Sequence, residues 1–206
     1  MKLILISCCN TKEEGGSIEY HQPSNLEKLV GTSSFQRLMA ARYELACILK
    51  LAPGPDLGFI KADPALRYMP AYLRYKGVVY QRSRIREKLP KSKPIRVLIV
   101  STLYGLVDAY DDIRNYDLAM DETLPTGQKG FTWWKQRGLG EILCNYVNNL
   151  NPVVVHDLLT VNYRKALGSW QDCVNNIEIK PHEYPGEGIG SLSHRGYDLR
   201  AFLEDR

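Results

Sequence analysis

With 206 residues, 44% of them hydrophobic and 24% charged, and a net charge of +4, the chain has the composition of a soluble globular domain. No apolar run nears the roughly 20 residues that cross a bilayer, which excludes a spanning helix. Met1-Lys2 leads straight into an apolar strand pattern without a leader-like segment, so a cytoplasmic monomer with no membrane partner is expected.

From the N terminus, Leu3-Ile4-Leu5-Ile6 predicts a buried strand over about 2–7 that opens into Ser7-Cys8-Cys9-Asn10-Thr11-Lys12. Ser33-Ser34 supply helix caps, and Phe35, Leu38, Leu45 and Leu49 repeat at helical spacing over 34–50. Ala52-Pro53-Gly54-Pro55 ends that helix, and Leu57-Gly58-Phe59-Ile60 reads as a second strand. Residues 65–90 read as two helices broken near Pro70 or Gly77, followed by a basic turn from Pro90 to Pro94. Ile95–Val100 is a β-branched third strand that releases Ser101-Thr102-Leu103-Tyr104-Gly105-Leu106-Val107.

Residues 104–131 show no period, and a connection this long inside a domain is usually functional. Trp133-Trp134 opens a helix running to about Asn149. A fourth strand at 152–156 precedes a helix over about 158–169 and a fifth strand at Ile177-Glu178-Ile179. A glycine-rich stretch, 186–196, leads into a short terminal helix. This alternation implies one α/β domain over 1–206, a three-layer α/β/α stack around a mainly parallel sheet of about four to five strands. Residues 65–94 form a basic helical insertion in it.

Three of these strands release polar residues at one end: Ser7 to Lys12, Ser101 to Tyr104, and His156-Asp157. In an open α/β sheet, the carboxyl ends of the strands build the ligand site. The first loop lacks the glycines of a phosphate loop or a dinucleotide fingerprint, so neither a nucleoside triphosphate nor NAD is expected. Asn10 there positions a water or reads a base edge, or else forms an ordinary strand-to-helix turn. The five cysteines are odd in number and without Cys-x-x-Cys spacing, which argues against a disulfide framework or zinc; Cys47 and Cys144 read as small core residues. His21, His182 and His194 lack ligand spacing, so no metal and no cofactor is expected.

Charge is unevenly spread. Arg67 to Arg96 hold ten basic residues against the single acid Glu87, a net +9 interleaved with Tyr68, Tyr72, Tyr75 and Tyr80. Basic side chains with stacking groups suit a nucleic-acid backbone. Residues 105–125 carry Asp108, Asp111, Asp112, Asp117, Asp121 and Glu122 against Arg114, a net −5. Carboxylates in such a run can hold Mg²⁺ or serve as a general base, although most are expected to be simply solvated.

Ser7 to Lys12, Val79-Tyr80-Gln81, Tyr104-Gly105-Leu106, Asp111, Tyr116, Met120 and Arg195-Gly196 resemble landmarks of the YaaA peroxide-stress family and of related prokaryotic and phage domains. The chain departs from that pattern at Cys8-Cys9-Asn10, where Pro-Ala-Lys is expected, and at Asp117 and Ala119. The resemblance implies DNA binding and, by analogy of fold, a likeness to the uracil-DNA glycosylase superfamily. On that analogy Asn10 positions water and His156 steadies a departing base.

The resulting expectation is a DNA glycosylase that hydrolyses the N-glycosidic bond of a modified or damaged base, with a place in phage defence. Asn10, Asp111 and His156 would be catalytic. Ser7, Cys9, Tyr104, Tyr116 and Asp117 would hold the flipped base. Lys12, Arg82, Arg84, Arg86 and Arg195 would hold the backbone of duplex DNA. The alternative is a non-catalytic YaaA-like DNA-binding protein of the oxidative stress response.

Overall fold

The computed structural model of the chain describes residues 1–92, 94–184 and 188–205, with Ile189 by its backbone alone. Lys93 and part of the glycine-rich stretch at 186–196 therefore lie outside the described residues. In chain order the elements are β1 (Lys2–Ser7), α1 (Leu26–Val30), α2 (Thr32–Ile48), β2 (Tyr68–Pro70), α3 (Ala71–Arg74), α4 (Val78–Ser83), α5 (Ile85–Lys88), β3 (Ile95–Ser101), β4 (Gly105–Asp108) and β5 (Asp112–Arg114). They continue with α6 (Gly130–Gln136), α7 (Leu139–Leu150), β6 (Val154–Asp157), α8 (Val161–Leu167), β7 (Glu178–Pro181) and α9 (Ile189–Glu204).

The main sheet has the order β4-β3-β1-β6-β7. All its pairings are parallel except β3 with β4. Leu3 to Ile6 are fully buried, as a strand covered on both faces requires. The two coverings can be read from β6, because successive side chains of a strand point to opposite faces. His156 stacks on Phe202 of α9, with ring centroids 4.0 Å apart, while its neighbour Asp157 is bonded by Arg164 of α8 at 2.9 Å. One layer holds α9 with α4 and α5, and the other holds α8 with α6 and α7. The expected α/β sandwich with a mostly parallel sheet is thus observed.

Several elements differ from the sequence reading. Leu57–Ile60 is not a strand. Pro55–Leu57 forms one 3-10 turn, Gly58 closes it at φ +83°, and Ile60 is wholly exposed. The second strand is Tyr68–Pro70, paired antiparallel with β5 in a separate two-stranded sheet. The supposed two helices of 65–90 are therefore one short strand and three short helices. The aperiodic stretch after 104 contains β4 and β5. Gly105, at φ +69°, turns the chain back onto β3, and a Cβ there would meet Trp134, Leu139 and Leu38 within 3 Å. Gly138, at φ +71°, divides the expected 133–149 helix into α6 and α7. The terminal helix is not short but spans Ile189–Glu204. Ser33 and Ser34 are inside α2 rather than capping it, and Ser34 accepts a bond from Asn145 of α7 at 2.9 Å.

Cys144 is not an isolated core residue, because it forms a disulfide with Cys173. The two sequence landmarks Val79-Tyr80-Gln81 and Arg195-Gly196 meet where α4 crosses α9. A Cβ on Gly196 would stand 2.5 Å from the Arg82 Cβ and 2.9 Å from the Val79 carbonyl oxygen.

The loops are fastened by buried charge. Asp56 is fully buried and accepts from Tyr68 Oη at 3.1 Å, Tyr104 Oη at 2.6 Å, and Arg114 Nε and Nη2 at 2.8 and 2.6 Å. Arg42 donates to the carbonyls of Tyr104 and Leu106 at 2.9 and 2.6 Å. The Tyr104-Gly105-Leu106 turn is thus clamped from both sides. Removing one partner of a buried pair strands the other, which typically costs about 3–5 kcal/mol. Asp56→Ala should lose that much stability in urea denaturation, whereas Asp121→Asn, at an exposed position, should lose almost none.

Candidate functional site

In the strand order, β1 leads to β3 on one side, while the later β6 lies on the other. A ligand crevice is expected outside the carboxyl ends at such a reversal. The strand ends are tied together there. Cys8 N donates to Val100 O at 2.9 Å, and Thr160 N donates to Ser7 Oγ at 3.1 Å. Tyr163 Oη donates to Cys8 O at 3.2 Å and lies 3.0 Å from Cys8 Sγ. Ser101 Oγ, Tyr116 Oη and Tyr75 Oη form a buried chain, with 2.9 Å between the first two and 2.7 Å between the tyrosines.

Lys12 points into this cluster. It is 6% exposed, donates to Asn10 O at 3.2 Å, and its Nζ stands 4.0 Å from the centre of the Tyr116 ring. Among the described residues no carboxylate lies within 4.0 Å of it. Burial pulls its pKa below the ordinary 10.5, although the thiols of Cys8 and Cys9 and the exposed carboxylate of Asp117 pull the other way. Buried ammonium groups ordinarily have an anionic partner. Here the aromatic face and one carbonyl stand in its place, and the polar cluster is the strongest candidate for binding an anionic or nucleobase group.

The residues assigned to the base fall into two sets. Ser7 and Tyr116 belong to the bonded cluster, while Cys9 is half-buried and Asp117 exposed. Cys9 Sγ donates to Thr11 O at 3.1 Å and accepts from Gly77 N at 3.2 Å, and burial pushes its thiol up to about 11. Tyr104 instead is buried against Asp56, with its hydroxyl committed to that carboxylate, so it has no free ring face to offer a base.

Asn10, Asp111 and His156 have no bonding partner in common. Asn10 is exposed at the crevice mouth. Asp111 follows β4, which runs from the carboxyl end of β3 back toward its amino end. It is 1% exposed and accepts from Ser24 N at 3.0 Å and Ser24 Oγ at 2.7 Å, the contacts of a carboxylate that caps a loop. His156 lies under α9, 3.1 Å from His182 Nε2 through Nδ1, and burial lowers its pKa to about 4.

The backbone set divides likewise. Arg195 is 6% exposed and donates to the carbonyls of Leu158, Ser191 and Leu159, so it braces the loop after β6 instead of facing solvent. Arg82, Arg84 and Arg86 are exposed. Arg84 pairs with Glu87, and Arg86 with Glu13 at 2.9 Å. Arg84, Arg86 and Lys76 line a cleft of about 290 Å³ whose wall includes Tyr75 and Tyr80. The cleft thus abuts the Lys12 cluster through Tyr75. Arg74 and Arg96, counted in the basic surplus, are turned inward, onto backbone carbonyls and onto Asp108 respectively. Sequence periodicity had no means of revealing Asp56, Tyr163 or the Tyr75–Tyr116 contact, because each joins segments distant in the chain.

The model of the family described as peroxide stress protein YaaA matches residues 3–194, which include every crevice residue named above. The chain belongs to the YaaA family. Among its curated relatives, a UPF0246 protein of Corynebacterium glutamicum strain R is 30% identical over 182 residues, covering 84% of this chain and 71% of that protein. UPF0246 protein FN1762 of Fusobacterium nucleatum is 27% identical over 148 residues, 68% of this chain and 58% of its own length. The chain thus spans little more than half the length of that relative. Among the described residues no helix is long and apolar enough to cross a membrane.

Asp111 offers a test of its structural role in this YaaA member. Burial raises its pKa from 3.8 to about 6. Its contribution to stability is then complete below pH 3.8 and lost as the pH rises through 6, because the folded state must give up a proton it holds more tightly. The shift corresponds to about 2–3 kcal/mol. Asp111→Asn stays neutral, so urea denaturation at pH 4 and pH 7 should show it gaining about that much on the unaltered protein at the higher pH. An unchanged difference would contradict the buried, raised carboxyl.

Proposed function

We propose that the chain is a YaaA-family protein of the peroxide stress response that binds duplex DNA. The backbone lies along the α4–α5 cleft, and one phosphate or exposed base reaches toward Lys12. The observation that carries this reading is the adjacency of two features, an exposed arginine row and a buried, carboxylate-free lysine, which share Tyr75 as a common wall. The ion pairs of Arg84 and Arg86 do not oppose it. Exposed pairs are worth about 0–1 kcal/mol, so phosphates can replace Glu87 and Glu13 at little cost. Arg82 has no carboxylate partner among the described residues and lies 5.9 Å from the Tyr197 ring, where it is free to turn to a phosphate.

The glycosylase reading, with its analogy to the uracil-DNA glycosylase superfamily, asks more of the site. It needs Asn10, Asp111 and His156 around one flipped base, and their present partners are Ser24 for Asp111 and His182 with Phe202 for His156. Hydrolysis would require a rearrangement that binding does not. The family description supports the stress-response part of the alternative reading, and a role in phage defence has no support from the site.

Counterion release provides the test. Removing one phosphate-binding side chain should flatten the dependence of log affinity on log salt by about one unit. Arg82→Ala/Arg84→Ala/Arg86→Ala should bind duplexes of any sequence more weakly, with a salt slope shallower by about two to three units. Gel-shift titrations from low to physiological salt measure this. Unaltered affinity and slope would remove the cleft from the interface. Alkali-labile breaks appearing in a duplex with a damaged base would restore the glycosylase reading.

A further inference from the structure

Cys144 on α7 and Cys173, which follows α8, are joined 29 residues apart in sequence with their Cα atoms 6.1 Å apart, an ordinary separation for a disulfide. They lie apart from the crevice, and their meeting does not depend on the sulfur bond alone. Asn148 donates to the Cys173 carbonyl at 3.0 Å and accepts from Asn175 N at 3.0 Å. Trp170, 2% exposed, packs beside Gly140, where a Cβ would stand 2.0 Å from the Leu167 carbonyl oxygen. These contacts do not involve the S–S bond, so they would hold the turn on α7 in the reduced protein too. The two cysteines differ in access: Cys173 is on an exposed turn, while Cys144 is 5% exposed. An accessible sulfur with a shielded partner beside it is the arrangement of a peroxide-attacked thiol and its resolving thiol.

We propose that Cys144 and Cys173 form a reversible dithiol site whose substrate is hydrogen peroxide. The Cys173 sulfur attacks one peroxide oxygen and the O–O bond breaks. Cys173 becomes a sulfenic acid, and the departing hydroxide takes the thiol proton to leave as water. The Cys144 sulfur then attacks the sulfenic sulfur, forming the S–S bond and breaking the S–O bond. The released hydroxide takes the Cys144 proton as the second water. Two electrons pass from the pair to one peroxide, and an external dithiol then reduces the bridge by exchange, restoring both thiols and itself becoming a disulfide. Closing the bridge fastens Trp170–Cys173 to α7.

The other thiols are placed differently. Cys9 is held protonated by its burial, Cys8 is enclosed by Tyr163 and Thr102, and Cys47 is exposed on α2 and forms no disulfide among the described residues. The proposal rests on the family's tie to peroxide stress and on this geometry, and it stands whether or not the chain binds DNA.

The full chain, reduced and freed of reductant, is treated with up to one equivalent of hydrogen peroxide, and its thiols are mapped by differential alkylation and peptide mass spectrometry. Cys144 and Cys173 should disappear together and first, one bridge per peroxide, and dithiothreitol should restore both. In Cys144→Ser, dimedone should trap a sulfenic acid at Cys173, while Cys47→Ser should leave bridge formation unchanged. Oxidation of Cys47 or Cys9 ahead of the pair would overturn the proposal. So would a bridge that forms as fast without peroxide, or a Cys144→Ser protein in which dimedone finds nothing at Cys173.

Discussion

A strand buried on both faces cannot carry polar side chains along its length without stranding them from water, so its polar residues collect at its ends. β1, β3 and β6 all obey this constraint, and because they run parallel their polar ends gather at one edge. The first stretch of that edge in the chain, Ser7 to Lys12, is followed much later by Ser101-Thr102 and then by the loop after His156-Asp157. The reversal of strand order around β1 falls at this edge, where the ends are bonded to one another, Cys8 N to Val100 O and Thr160 N to Ser7 Oγ. The polar edge is a consequence of the sheet and needs no separate explanation.

Charges sunk elsewhere in the molecule make that edge rigid. Asp56 with Arg114, Arg42 against the Tyr104 turn, and Arg195 under the loop after β6 each replace water with fixed partners. These groups are satisfied several times over, and their work is structural. Lys12 differs from them in having one carbonyl and two aromatic faces near it and, among the described residues, no carboxylate within 4.0 Å. That incompletely answered charge is the observation on which the proposed binding role of Lys12 rests.

The sheet was legible in the sequence because apolar, β-branched runs bounded by polar loops have few other uses. The carboxyl-edge location of Ser7 to Lys12 and of Ser101-Thr102 followed from the same runs. What escaped was set by long-range pairing. Leu57–Ile60 has strand composition, but Gly58 takes a left-handed turn and Asp56 is drawn inward by an arginine 58 residues away. Tyr104 and Asp111 carry motif-like spacing that reads as chemistry, yet their partners, Asp56 and Ser24, make them parts of the scaffold. Arg195-Gly196 is similar. The glycine permits α9 to approach α4, and the arginine holds carbonyls. The expected absence of disulfides failed because Cys144 and Cys173 lack a recognisable spacing and meet only through the packing of α7 against the turn after α8.

If Lys12 is a desolvated amine waiting for an anionic partner in a DNA-binding cleft, its titration must respond to DNA. Protein labelled with ¹³C at the lysine Cε allows that titration to be followed by NMR, with Lys12→Arg identifying the signal. Free protein should show one lysine titrating below 10.5, and saturating duplex DNA should move that titration upward, because a phosphate favours the charged form. A Lys12 signal that titrates at 10.5, or that titrates identically with and without DNA, would contradict the account.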